Sequence, residues 1–157
     1  MPRNYRSTAQ YVNPDPKFNS MLASKIINKL MLDGKKSTAQ RIFYQALDLA
    51  NKRVEVEEQN EIFERAIDNI RPSVEVRSKR VGGANYQVPR EVKRGRQQSL
   101  AIRWLVDNAR KKKGKSMSQK LAEEFADAFN GTGASVQWKE NVHKMADANR
   151  AYSHYAR

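Results

Sequence analysis

Apolar positions along this chain follow two different periods, and the change between them organises the reading. Residues 1–18 show no period: Pro2, Pro14 and Pro16 prevent a continuous helix, so an irregular N-terminal arm is expected. Helical spacing then begins. Leu22, Ile26 and Leu30 share one face of a first predicted helix, capped by Asn19 and ended by Asp33-Gly34. Ala39, Ile42, Phe43, Ala46, Leu47 and Ala50 form the stripe of a second helix. Ile62, Phe63, Ala66, Ile67 and Ile70 form that of a third, which runs through an acidic stretch and stops at Pro72. Three amphipathic helices need partners for their stripes, so a bundle is expected.

From Val74 the period drops to two. Val74, Val76, Ser78 and Arg80 alternate with Glu75, Arg77, Lys79 and Val81. Beyond Gly82-Gly83, Tyr86 and Val88 lie on one face and Asn85 and Gln87 on the other, with Pro89 expected to end the pairing. The paired glycines can take the positive φ that a tight hairpin turn demands. Eight residues at roughly 3.3 Å each give an arm about 25 Å long. It has too few apolar residues to bury a whole face, and an isolated hairpin is marginal in water. A projecting arm steadied by its ligand is therefore expected.

Helical spacing returns over 94–113, where Leu100, Ala101, Ile102, Trp104, Leu105, Val106 and Ala109 predict a mostly buried fourth helix. Its remaining stripe holds Arg96, Arg103 and Arg110, three arginines at heptad spacing. Ser116 with Gln119 is a capping-box pattern opening a fifth helix that buries Leu121, Phe125 and Phe129. After Gly131 and Gly133, a last helix carries Trp138, Val142, Met145, Ala146, Asn149 and Tyr152. The fold expected is mainly α: a single six-helix domain over 19–157, with one protruding basic β-hairpin at about 74–89. There is no internal repeat or low-complexity segment.

Charge sharpens this picture. The chain has 157 residues with 30 Lys and Arg against 17 Asp and Glu. The window 71–120 alone holds 15 basic and 3 acidic residues, which is +12 of the total +13. A concentrated excess of this kind is a footprint for a polyanion. No run approaches the roughly 18 apolar residues of a spanning helix, so no membrane partner is expected. Met1 to Asn4 lacks the apolar core of a secretory signal. With no cysteine, disulfides, thiolate metal sites and cysteine nucleophiles are excluded.

An enzyme is hard to assemble from these residues. His143 and His154 are eleven apart on one predicted helix, about 16 Å at 1.5 Å per residue, too far to share a metal or a proton. Glu57-Glu58 and Glu123-Glu124 are adjacent pairs and read as solvated faces. Gly34-Lys35-Lys36-Ser37 resembles the end of a phosphate-binding loop but lacks its earlier glycine and preceding strand. Its two lysines at a helix start still suit backbone phosphate. No metal or cofactor is expected.

Each basic group carries a bland alternative. One lysine suffices to complement a helix dipole; Lys111, Lys112 and Lys113 with Lys115 favour phosphate contact. Arg77, Lys79 and Arg80 protect a strand edge or meet RNA, and the absence of a core role favours RNA. Tyr86 packs across the hairpin or stacks on a base. No recognition helix for duplex DNA stands out, whereas a long arm with scattered basic patches suits folded RNA.

The segment from Val74 to Pro89, VEVRSKRVGGANYQVP, resembles the signature hairpin of the bacterial-type small-subunit ribosomal proteins numbered seven. So do Ser99-Leu100-Ala101-Ile102-Arg103-Trp104-Leu105, Asp33-Gly34-Lys35-Lys36-Ser37 and the ending from His143 to Tyr155. The resemblance implies a helical domain that binds the 3′ major domain of small-subunit rRNA and nucleates assembly of the subunit's head. The hairpin, with Val81, Gly82, Gly83, Ala84, Asn85 and Tyr86 at its tip, would lie near exit-site tRNA and the mRNA path. The arm with Arg3 and Arg6, the Lys35-Lys36 turn, and the basic fourth helix with Arg94, Arg96, Arg103, Arg110 and its lysines would contact rRNA. Neighbouring small-subunit proteins would be partners, in a cytoplasmic or, alternatively, an organellar ribosome. A translational repressor that binds messenger RNA is the rival, distinguished by preference for an mRNA leader. The chain departs from the family in its sparsely basic arm, in Val136 to Asn141 where lysines are common, and in the ending Tyr155-Ala156-Arg157.

Overall fold

The computed structural model describes residues 11–156. Six α-helices and one β-hairpin follow in chain order: α1 (Met21–Leu30), α2 (Lys36–Val54), α3 (Gln59–Ile70), β1 (Val74–Val81), β2 (Ala84–Glu91), α4 (Arg94–Lys111), α5 (Met117–Phe129) and α6 (Ala134–Ala148). A 3₁₀ segment, Arg150–Ala156, closes the chain. The fold is mainly α with a single hairpin, as the periodicity predicts.

The core lies where the stripes of α1 to α5 meet. Phe43, Phe63 and Phe125 are fully buried there, the Phe43 ring of α2 lying 6.0 Å from that of Phe63 in α3 and 6.1 Å from that of Phe125 in α5. All five apolar residues predicted for α3 are buried, as are Leu121, Phe125 and Phe129 of α5. At the start of α5, Ser116 accepts from the Gln119 amide and Gln119 returns the contact to the Ser116 amide, completing the capping box.

The segment before α1 is irregular yet docked. Phe18 sets its ring edge-on to Phe43, Tyr44 and Phe63, and the Ser24 hydroxyl donates to the Asn13 carbonyl at 2.7 Å. The cap of α1 differs from expectation. Asn19 takes a left-handed conformation (φ 47°), and Ser20 caps the helix by accepting from the Ala23 amide. Asparagine tolerates positive φ better than most residues, so it makes the bend and leaves capping to its neighbour.

The strands pair antiparallel from Val74↔Glu91 to Val81↔Ala84, around Gly82 and Gly83 at φ 56° and 89°. Both turn residues need positive φ, which is the reason glycine occupies both. Pairing does not end at Pro89, which sits opposite Val76. In a two-stranded sheet each strand has one free edge, and a proline whose missing N–H faces outward costs the ladder nothing. The hairpin also leans on the protein itself: Val88 and Val92 are buried at its base, and the terminal 3₁₀ segment packs along β2.

The fourth helix ends at Lys111, two residues before the expected 113, because Lys112 turns extended (ψ 139°). The last helix stops at Ala148, so Asn149 and Tyr152 lie beyond it. Its predicted stripe is largely outside the core, with Trp138 44% and Met145 52% exposed. Within that stripe Ala146 is buried, and Ser135 and Val136 seat the helix further.

Candidate nucleic-acid interface

The basic window folds into three parts: the hairpin, the outer side of α4, and the α4–α5 turn. Along β1, Arg77, Lys79 and Arg80 are exposed. Arg77 Nε–H donates to Glu75 Oε1 at 2.8 Å, and Lys79 Nζ donates to the Tyr155 carbonyl at 2.8 Å. At the tip, Gly82 to Asn85 are exposed, with Val81 and Tyr86 half-buried at either side. Tyr86, opposite Lys79 in the ladder, does not stand free. Its ring lies 5.1 Å from that of Tyr152 and 5.4 Å from that of Tyr155, both in the terminal 3₁₀ segment.

The arginine stripe of α4 is divided among three tasks. Arg96, in the first turn, donates from Nε to both carboxylate oxygens of Glu75 at 2.9 and 2.8 Å, with Nη2 at 2.8 Å from Oε2. Arg110 Nη2 reaches the Lys29 and Leu30 carbonyls at 3.4 and 3.2 Å, satisfying the open C-terminus of α1. Arg103 is exposed and has no partner among the described residues. Arg94, also exposed, likewise has none.

The lysine turn is half neutralised from within. Lys112 Nζ lies 3.0 Å from Glu124 Oε2, 3.5 Å from Asp127 Oδ2 and 4.0 Å from Glu123 Oε2. Lys115 pairs with Glu123, which Arg53 approaches at 3.4 Å. Lys111 sits 5.0 Å from the centre of the Trp138 ring and 3.3 Å from Asn108 Oδ1. Lys113 is exposed and unpartnered among the described residues. The reading of Glu123-Glu124 as a solvated face is thus corrected. Glu124 is fully buried and accepts from the Ser135 hydroxyl at 2.6 Å and its amide at 3.0 Å. Adjacent acids on a helix do point apart, but here α6 and the lysine turn cover both.

Two carboxyls of this surface are held below the usual carboxylate range. For Glu75, partial burial works upward, but the hydrogen bond and charge of Arg96, then those of Arg77, outweigh it. For Glu123 the Lys115 hydrogen bond leads, opposed by burial and reinforced by the charges of Lys115 and Lys112 and by Arg53.

Other expectations resolve more simply. Lys35 and Lys36 are exposed at the start of α2, where Lys35 is the N-cap residue and supplies no side-chain cap. Arg3 and Arg6 lie outside the described residues. The two histidines are not on one helix: His143, in α6, accepts the Ser73 amide at Nε2 (3.2 Å), whereas His154 belongs to the 3₁₀ segment. Among the described residues no group of three or more side chains could hold a metal, and no helix is long and apolar enough to cross a membrane.

Sequence reasoning passed over Glu75, Arg90 and Lys93, which meet at the hairpin base with Arg77 and Arg96 around a cleft of about 220 Å³. A signal existed: at period two, Glu75 and Arg77 share a strand face.

A small helical domain that turns exposed cations outward on a hairpin, a helix and a helix start presents a surface whose charge suits a polyanion. The chain belongs to the family of ribosomal protein S7p/S5e, whose pattern matches residues 2–150. It is 55% identical over 157 residues to the small ribosomal subunit protein uS7 of Chloroflexus aurantiacus, covering 100% of this chain and 99% of the relative. It is 58% identical over 143 residues to that of Rhodopirellula baltica, covering 90% and 91%. The protein of the same name from Desulfotalea psychrophila is 54% identical over 144 residues, 92% of each chain. Family membership makes this a structural protein of the ribosome, acting in translation through RNA binding.

Proposed function

We propose that this protein is a non-catalytic component of the small ribosomal subunit that binds the 3′ major domain of its rRNA directly and nucleates folding of the subunit's head. Its hairpin tip, Val81 to Tyr86, reaches the subunit interface beside exit-site tRNA and the mRNA path. Neighbouring small-subunit proteins complete the site, in the cytoplasmic ribosome. Family membership supports the class of RNA. The observation that carries the reading is a group of exposed cations without internal side-chain partners among the described residues, Lys35, Lys36, Arg80, Arg94, Arg103 and Lys113 among them.

The mechanism is phosphate neutralisation with register set by the hairpin. Exposed Lys and Arg release counterions from the RNA backbone on contact, which supplies affinity without base readout. Arg77, Lys79, Arg96, Arg110, Lys111 and Lys115 join through donors left over from their internal contacts, Lys112 staying with the acids of α5, and Arg3 and Arg6 extend the surface. The test is a competition titration at near-physiological salt between a 3′ major-domain rRNA fragment and a scrambled RNA of equal length. A preference of about 10³ or more is expected for a structured site. Equal binding would reduce the basic surface to general attraction and overturn the reading.

A further inference from the structure

We propose that Glu75 is a positioning residue for RNA recognition: it fixes the guanidiniums of Arg77 and Arg96 as a preformed fork for backbone phosphate, and so sets specificity rather than total attraction. The inference rests on the rRNA reading above and names a residue that binds no RNA itself.

The geometry is unusual for a surface built to attract a polyanion. Glu75 is 9% exposed and lies where β1 meets the first turn of α4. One carboxylate there takes Nε of Arg77 and both Nε and Nη2 of Arg96. A guanidinium is planar, so holding Nε and Nη2 fixes its whole plane. Both Nη groups of Arg77 and Nη1 of Arg96 remain unengaged by protein among the described residues, available to a phosphate oxygen. The cleft they edge is lined by Arg77, Arg90, Lys93 and Arg96, with Glu75 and Glu91 as its acids.

A negative charge at this position weakens general attraction, since it removes one unit from a cationic cleft. What it supplies in return is order. Arginine has among the largest rotamer freedom of any side chain, and here that freedom is lost on folding rather than on binding. A preorganised pair favours the RNA whose phosphates match the fork and gains nothing with an RNA whose phosphates do not. Because the two arginines come from the hairpin and from α4, the same carboxylate also holds the hairpin's base to the helical domain.

The two readings of Glu75 predict opposite signs. Glu75→Gln raises the net charge by one, so simple attraction predicts tighter binding to every RNA. The positioning role predicts that the competition titration loses its preference by about tenfold, the scale of one well-placed charge-assisted contact, while scrambled RNA binds as well or better. Arg96→Lys serves as the second variant: it keeps the charge and an ion pair with Glu75 but has no planar fork, and it should lose preference similarly with no change in net charge. Side-chain Nε–H signals of Arg77 and Arg96, ordered in the free wild-type protein, should broaden in Glu75→Gln. Thermal unfolding of each variant is followed in parallel. Equal tightening for both RNAs, a proportional weakening of both that tracks lost stability, or full preference in Arg96→Lys would overturn the proposal. A wild-type protein without preference would instead overturn the rRNA reading, and this inference with it.

Discussion

Asp15 shows how a single side chain can organise what the sequence presents as an arm without pattern. Its carboxylate is 2% exposed and accepts from the Tyr44 hydroxyl at 2.8 Å and from the Lys17 and Phe18 amides at 3.1 and 3.2 Å. Those amides set the turn that delivers Phe18 to the aromatic core. No periodicity marks such a residue, because its partners are one tyrosine 29 positions away and two local amides. Tyr44→Phe keeps the ring and leaves a buried acceptor short of a donor, so stability should fall by about 1–3 kcal/mol, measured by urea unfolding at pH 7. Alkali gives a second reading. Burial first, then the hydrogen bond and charge of Asp15, push the Tyr44 phenol from 10.0 up to about 12. A phenol that holds its proton more tightly when folded contributes stability fully present below pH 10 and lost as pH rises toward about 12. The alkaline limb of the wild-type stability curve should therefore steepen in that window, and the Phe variant should lack this component.

At the scale of elements, periodicity reports which face is apolar but not what covers it. That is enough for α2, α3 and α5, whose stripes find one another, and for the strands of the hairpin, whose period-two pattern sets the register. It fails for α6. Trp138, Val142 and Met145 repeat at helical spacing, yet no opposing stripe is left for them once five helices have closed the core. It fails also for the chain's end, where Tyr152 and Tyr155 leave the helix and pack on Tyr86 of β2. The hairpin is thus braced by a segment some 65 residues further along the chain. Two aromatic contacts are worth roughly 0.5–1.5 kcal/mol each beyond their buried area. Replacing Tyr152 and Tyr155 together by Ala should therefore speed amide exchange along β2 by roughly 10- to 100-fold. Helical ellipticity should stay unchanged. Unaltered exchange would show that the ladder stands without the brace; a lost helical signal would show that the 3₁₀ segment belongs to the core.

For the whole molecule, the sequence locates the positive charge correctly but cannot say how much of it faces solvent. The acids that neutralise Lys112 and Lys115 come from α5, just beyond the basic window, and a count along the chain assigns them to another region. Folding wraps α5 back against the lysine turn, so Glu123, Glu124 and Asp127 meet cations that looked free. The consequence is a division of labour that salt can separate. Each phosphate contact contributes a slope of about 0.7–0.9 to the fall of log affinity with log salt. Arg103→Ala and Lys113→Ala, which remove exposed and unpartnered cations, should each lower that slope for rRNA by nearly one while leaving the unfolding midpoint in place. Lys112→Ala should do the reverse. It strips the ammonium from a carboxylate whose side chain is 1% exposed, and an orphaned buried charge costs about 3–5 kcal/mol, so the midpoint drops while the slope holds. Should Lys112→Ala instead flatten the salt dependence and leave stability untouched, its ammonium must exchange Glu124 for phosphate on binding, and the acidic side of α5 would be a competitor for RNA rather than part of the fold.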